Sequence, residues 1–88
     1  MPTISMFYGI IIRMYSEPNG PHHLPHIHAE YQGQNAVIGF DGEVIDGILA
    51  KKQLHMVQAW VAIHEDELQA DWQLLSEGQQ FFRIEPLK

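Results

Sequence analysis

The sequence predicts an α+β domain: an antiparallel sheet of about four strands, covered on one face by one or two helices. Three observations predict it. The first half alternates apolar and polar residues, its segments meet at glycine-bearing turn pairs, and after Leu49 the apolar spacing changes to three and four. The chain of 88 residues has room for a single domain. A domain of this size buries roughly two thirds of its unfolded surface, so it needs a tight core or a partner.

Thr3 to Tyr15 is mostly β-branched, aromatic or Met, which reads as one long strand, central in the sheet, with Gly9 as a bulge. Ser16 to Pro25 holds Pro18, Asn19, Gly20, Pro21 and Pro25, which fix φ and remove N–H donors; it reads as a loop. His26 to Gln32 alternates again, with Ile27, Ala29 and Tyr31 toward the core and His26, His28 and Glu30 on the other face. Gln32-Gly33-Gln34 turns the chain into a strand over Asn35 to Phe40, and Asp41-Gly42 into another over Glu43 to Ile48.

Leu54, Val57, Val61, His64, Leu68, Trp72 and Leu75 then form one helical stripe, so helix runs from about Lys51 to Glu77. Ala50 and Lys51 offer no strong N-cap, and Gly78 supplies the stop. Polar residues cluster at His64-Glu65-Asp66, and acids there suit the first turn of a second helix, which favours two helices over one bent one. Phe81 to Ile84 has the pattern of a short fifth strand, ended by Pro86.

Five Lys and Arg stand against 11 Asp and Glu, and the formal charge of −6 opposes a phosphate backbone and disfavours nucleic-acid binding. Six histidines are unusual in so short a chain, and protonating all of them would bring the formal charge to zero. With no cysteine, disulfides, zinc ribbons and thiol catalysis are excluded, and any metal site would draw on His and carboxylate. The apolar run Ile10 to Ile12 is far too short for a membrane span, so no membrane partner and a cytoplasmic location are expected.

The segment His22-His23-Leu24-Pro25-His26-Ile27-His28 carries the chemistry of greatest interest. An i, i+2 pair on a strand projects both imidazoles to one side, and Glu30 continues the row. With His22, the set His26, His28 and Glu30 has the donors for a divalent ion such as zinc or nickel. The same pair would serve as general acid and base at a phosphodiester. The plainer reading is a polar strand face whose imidazoles satisfy backbone groups.

His64 lies on the apolar stripe between Val61 and Leu68; it is either a hydrogen-bonded core histidine or a third member that meets His26 and His28 across a cleft. Arg13, at the end of the first apolar run, suits an anion, or else a salt bridge to Glu17 or Glu30. Trp60 and Trp72 suit packing, Glu65, Asp66, Glu67 and Asp71 read as a solvated face, and His55 as surface.

The ordered set of Met1-Pro2-Thr3-Ile4, Phe7 to Tyr15, Pro25-His26-Ile27-His28-Ala29-Glu30-Tyr31, His64-Glu65-Asp66-Glu67-Leu68 with Trp72, and Ile84-Glu85-Pro86-Leu87 resembles the bacterial family called domain of unknown function 4160. The resemblance covers essentially the whole chain. It implies a small prokaryotic protein encoded beside a second small protein, of the family called domain of unknown function 2442, in a toxin–antitoxin-like pair, with this chain as the toxin-like member. The family's His, Pro and His-x-His pattern falls here on His22, Pro25, His26 and His28, and its helical His on His64. Many relatives carry two prolines before His26, where this chain has Leu24-Pro25.

The expected function is therefore a cytoplasmic toxin-like component acting through a His-lined site, with His26, His28, His64 and Arg13 as the catalytic candidates. A small antitoxin-like partner is expected, and a homodimer is compatible. The alternatives are a non-catalytic metal-binding domain on His22, His26, His28 and Glu30, or a protein-interaction module.

Overall fold

A computed structural model describes residues 2–15 and 24–88. Five strands, β1 (Thr3–Phe7), β2 (Ile10–Arg13), β3 (His26–Tyr31), β4 (Gln34–Gly39) and β5 (Val44–Gly47), precede two helices, α1 (Lys51–Ile63) and α2 (Glu65–Ser76). The strands form one sheet in chain order, with every neighbouring pair antiparallel. This is the α+β architecture that the alternation and the helical stripe predict.

The stretch Thr3 to Tyr15 departs from its expected form. It is a hairpin, not one central strand: Tyr8 (φ 50°) and Gly9 (φ 80°) make a two-residue turn, and Phe7 pairs with Ile10. Two successive positive φ values match the right-handed twist of the flanking strands, and Gly9 supplies one of them without steric cost. β1 thus lies at the sheet edge. Splitting the run supplies the fifth strand, while Phe81 to Ile84 adds none; its Ile84 N–H donates to the Ile4 carbonyl (2.8 Å), and Ser5 Oγ donates to the Ile84 carbonyl (2.9 Å).

The core forms between the sheet and the helices. Ile12, Ala29 and Ala36 are register partners across β2, β3 and β4, as are Ile27 and Ile38, and all are buried with Val57, Trp60, Val61 and Leu68 from the helices. Each large apolar side chain so buried contributes about 1.5–3 kcal/mol of transfer free energy. Trp60 is fully buried, 5.4 Å from the Phe7 ring, and its Nε1–H donates to the Glu85 carbonyl (2.8 Å).

The helix breaks at His64 (φ −111°, ψ 26°), with Glu65, Asp66 and Glu67 in the first turn of α2, where carboxylates favour the macrodipole. No side chain caps α1; the Ala50 N–H donates instead to Gln34 Oε1 (2.8 Å), tying the helix start to β4. α2 ends with Gln79 N–H on the Leu74 carbonyl (2.8 Å) and Gly78 N–H on the Leu75 carbonyl (3.1 Å), a Schellman pair around Gly78. Among the described residues, no helix is long and apolar enough to cross a membrane.

Candidate functional site

Alternation along β3 sends Ile27 and Ala29 into the core and His26, His28 and Glu30 to the opposite side. Antiparallel register then sets Arg13 of β2 beside His28 and Ile11 beside Glu30. The Arg13 Nε–H donates to a Glu30 carboxylate oxygen, and its Nη1 donates to Thr3 Oγ1 (3.3 Å). Of the two salt bridges expected as the plainer reading of Arg13, the one to Glu30 is formed. Glu17 lies outside the described residues.

The imidazoles of His26 and His28 meet edge to face, with centroids 5.1 Å apart. Tyr15 stacks on His28 at 4.5 Å, and Trp72 of α2 meets His26 at 5.3 Å. Trp72 in turn packs edge-on to Phe40 (6.0 Å), so this end of the sheet is closed by an aromatic cluster. His26 is only 1% exposed, and Nε2 of both rings is buried.

His26 Nδ1 lies 2.7 Å from the Leu24 carbonyl oxygen. A carbonyl only accepts, so Nδ1 carries the proton and Nε2 of the neutral ring holds the lone pair. Leu24 precedes Pro25, which restricts its backbone to extended conformations and steadies that carbonyl. The local sequence therefore selects the tautomer of His26.

His64 keeps other company. Its Nδ1 pairs with Glu67 Oε1 (2.6 Å), its ring lies 5.5 Å from Trp60, and it lines a cavity of about 320 Å³ with Ile63 and residues 85–88. Its hydrogen bond and ring contact are thus with Glu67 and Trp60, not with His26 or His28. The cause is the helix break: at the N-terminus of α2, His64 is bound to the third helical residue by a cap-like bridge.

Of the expected metal set, His26 and His28 are adjacent, Glu30 is engaged by Arg13, and His22, like His23, lies outside the described residues. Among the described residues, no group of three or more His, Cys, Asp or Glu side chains is arranged to hold a metal ion. His55 is exposed, as expected.

Asp71 corrects the expectation of a solvated acidic face. It is 1% exposed, its Oδ1 accepts the Phe82 N–H (2.9 Å), and its Oδ2 is buried without a hydrogen bond. Burial pushes its carboxyl above the ordinary range; the Phe82 N–H pulls it back in part, and the nearby Glu67 charge raises it further. Sequence reasoning missed Tyr15 and Trp72 as neighbours of the pair. The first was readable, since Tyr15 follows Arg13 by two residues and so falls on its strand face. The second depends on how α2 crosses the sheet.

The family model described as "Domain of unknown function (DUF4160)" matches residues 9–73. That span holds Arg13, Tyr15, His26, His28, Glu30, His64 and Trp72. No curated protein and no solved structure matches the chain.

Proposed function

The chain belongs to the family Domain of unknown function (DUF4160), and from that premise we propose that it is the toxin-like half of a two-protein bacterial pair, acting in the cytoplasm through the His26–His28 centre. The observation that carries this reading is the pair itself: two imidazoles 5.1 Å apart, one with its tautomer set by a carbonyl and the other beside a guanidinium in register. In this reading His26 Nε2 accepts a proton from an attacking hydroxyl, His28 donates one to the leaving oxygen, and Arg13 supplies positive charge to a phosphodiester. The net charge of −6 opposes an extended nucleic-acid footprint, so contact is confined to one phosphodiester group at this site. Because both Nε2 atoms are buried, the aromatic cluster must shift to admit a substrate.

That burial also favours a second reading, a non-catalytic interaction module whose histidines pack the sheet. The metal-binding alternative, zinc or nickel on His22, His26, His28 and Glu30, has its carboxylate already drawn to Arg13. The test is growth of a bacterial host on induction of the chain, with and without the neighbouring gene, for the natural sequence and for His26→Ala and His28→Ala variants shown by circular dichroism to fold. The first reading expects arrest that the neighbour relieves and that either variant abolishes. Unaltered growth with the natural sequence removes the toxin-like role, and arrest that persists in both folded variants leaves the interaction module. A melting temperature that neither zinc nor nickel raises in chelator-treated protein removes the metal alternative.

A further inference from the structure

The sheet ends at β5, which has β4 on one side and no other described strand on the other. All four residues of β5 are exposed, as is Ile48 just beyond it (72%). A row of backbone groups on an open edge is a template for another strand, and exposed apolar side chains beside it add area to bury. At the end of the sheet, against Ile45 of β5, lies a cavity of about 320 Å³ that Gly39 of β4 and Gln69 of α2 also line. Leu24, Pro25 and Ile45 form its apolar wall, and Asp41, Glu43 and Glu65 bring carboxylates to it, with no Lys or Arg among its lining residues. Among the described residues, the ion pairs Arg13–Glu30, His64–Glu67 and Lys88–Glu85 involve none of those three acids, while Asp41 Oδ1 accepts the Glu43 N–H (3.0 Å).

We infer that the β5 edge and this cavity together receive a short, extended, basic segment of a partner protein, which adds a sixth strand and lays a Lys or Arg side chain in the cavity. Such a side chain suits it twice over: the aliphatic stem covers Leu24, Pro25 and Ile45, and the charged head reaches the carboxylates. Charge decides between this occupant and a second copy of the chain. A second copy would bring the same three acids and a further net charge of −6 to the interface. The irregular register between Val37 and Ile38, opposite β5, and the Gly47 N–H already given to Asp46 Oδ1 (2.8 Å) keep the receiving edge short, so the segment contributes only a few residues of ladder. The inference goes beyond the proposed function, since it holds whether or not the histidine pair carries chemistry.

The test uses the full chain and three labelled, end-blocked heptapeptides followed by fluorescence anisotropy: alternating Val and Arg, alternating Val and Glu, and the Val–Arg peptide N-methylated at alternate amides. The Val–Arg peptide is expected to bind about tenfold or more tightly than either of the others, because it alone offers both charge and ladder bonds. Glu43→Lys combined with Glu65→Lys weakens its binding by about tenfold. Reversing two charges that do not line the cavity, Glu77→Lys at the end of α2 with Glu85→Lys beside the β1 edge, leaves binding within about twofold, and circular dichroism confirms that each variant folds. Equal binding of the acidic or the N-methylated peptide overturns the inference, as does equal weakening by the Glu77 and Glu85 reversals, or no binding at all. Sedimentation as a dimer that Ile45→Lys dissociates also overturns it, in favour of a second copy on the same edge.

Discussion

β1 and β5 are both edge strands of one antiparallel sheet, yet the chain closes the first with its own C-terminal segment and leaves the second open. At β1, Ile84 exchanges bonds with Ile4 and Ser5, the Glu85 carbonyl takes the Trp60 indole N–H, and the Phe82 N–H rests on Asp71. At β5 every residue is exposed. An edge becomes safer when its backbone groups are bonded and its apolar side chains are covered; through residues that come nearly 80 positions later (|i−j| = 79 for Ser5 and Ile84), β1 gains one backbone bond, at Ile4, and buries Ile4 and Phe7, while Met6 stays exposed. The contrast separates an edge tied to the C-terminal segment from one whose apolar residues, Ile48 above all, keep much of their surface uncovered within the chain.

Removing the residue that joins α1 to the closed edge should have the largest effect. Trp60→Ala deletes a fully buried indole, its contact with Phe7 and the bond to Glu85. The expected loss is about 3–5 kcal/mol, a large share of what a domain this small possesses. Urea denaturation followed by circular dichroism measures it, and a loss below about 1 kcal/mol would show that the C-terminal segment is dispensable to the core.

The next effect is pH-dependent. Asp71 holds the closed edge through Phe82 N–H, and its carboxyl lies above the ordinary range because it is buried. A raised value in the folded state means that protonation favours folding. The stability this gives is full below about pH 4, the unfolded value, and is lost as pH rises through the folded one. Asp71→Asn keeps an acceptor for Phe82 and removes the charge. The difference in stability between variant and parent should therefore be small at pH 3.5 and grow with pH in favour of the variant, reaching on the order of 1 kcal/mol at pH 7. Thermal melts at both pH values give the comparison, and a parent that gains on the variant as pH rises would reverse the sign assigned to Asp71.

The same contrast explains what the sequence made legible. β3, β4 and β5 were readable because local chemistry determines them: alternation from His26 onward, Gln32-Gly33 at one turn and Asp41-Gly42 at the next. The break at His64 was readable because three acids announce a helix start. The Tyr8-Gly9 turn was not, because apolar residues continue on both sides of it and a two-residue reversal leaves the composition unchanged. Asp71 was hidden among neighbouring acids, although it follows the buried Leu68 by three residues. At the candidate site, strand periodicity placed His26 and His28 on one face, and the pairing of Arg13 with Glu30 was among the plainer alternatives. The placement of His64 against Glu67, and of Trp72 against His26, depends on helix rotation and crossing, which periodicity alone does not determine.

The smallest expected effect lies at the open edge and is the most discriminating for the comparison. Ile48 is 72% exposed, so Ile48→Ser removes little area that folding had buried, and the change in stability should stay within about 0.5 kcal/mol. The corresponding truncation at the closed edge, Ile84→Ala, removes a side chain that is 5% exposed and should cost about 2–4 kcal/mol. Denaturant melts of the two variants side by side test the difference. Similar losses would mean that β5 is packed in solution against something that covers Ile48, and sedimentation of the natural sequence would then separate a second copy from a contact within the chain. A near-neutral Ile48→Ser leaves a residue whose apolar surface does not contribute to folding, and the area that surface would bury on binding becomes available to a partner.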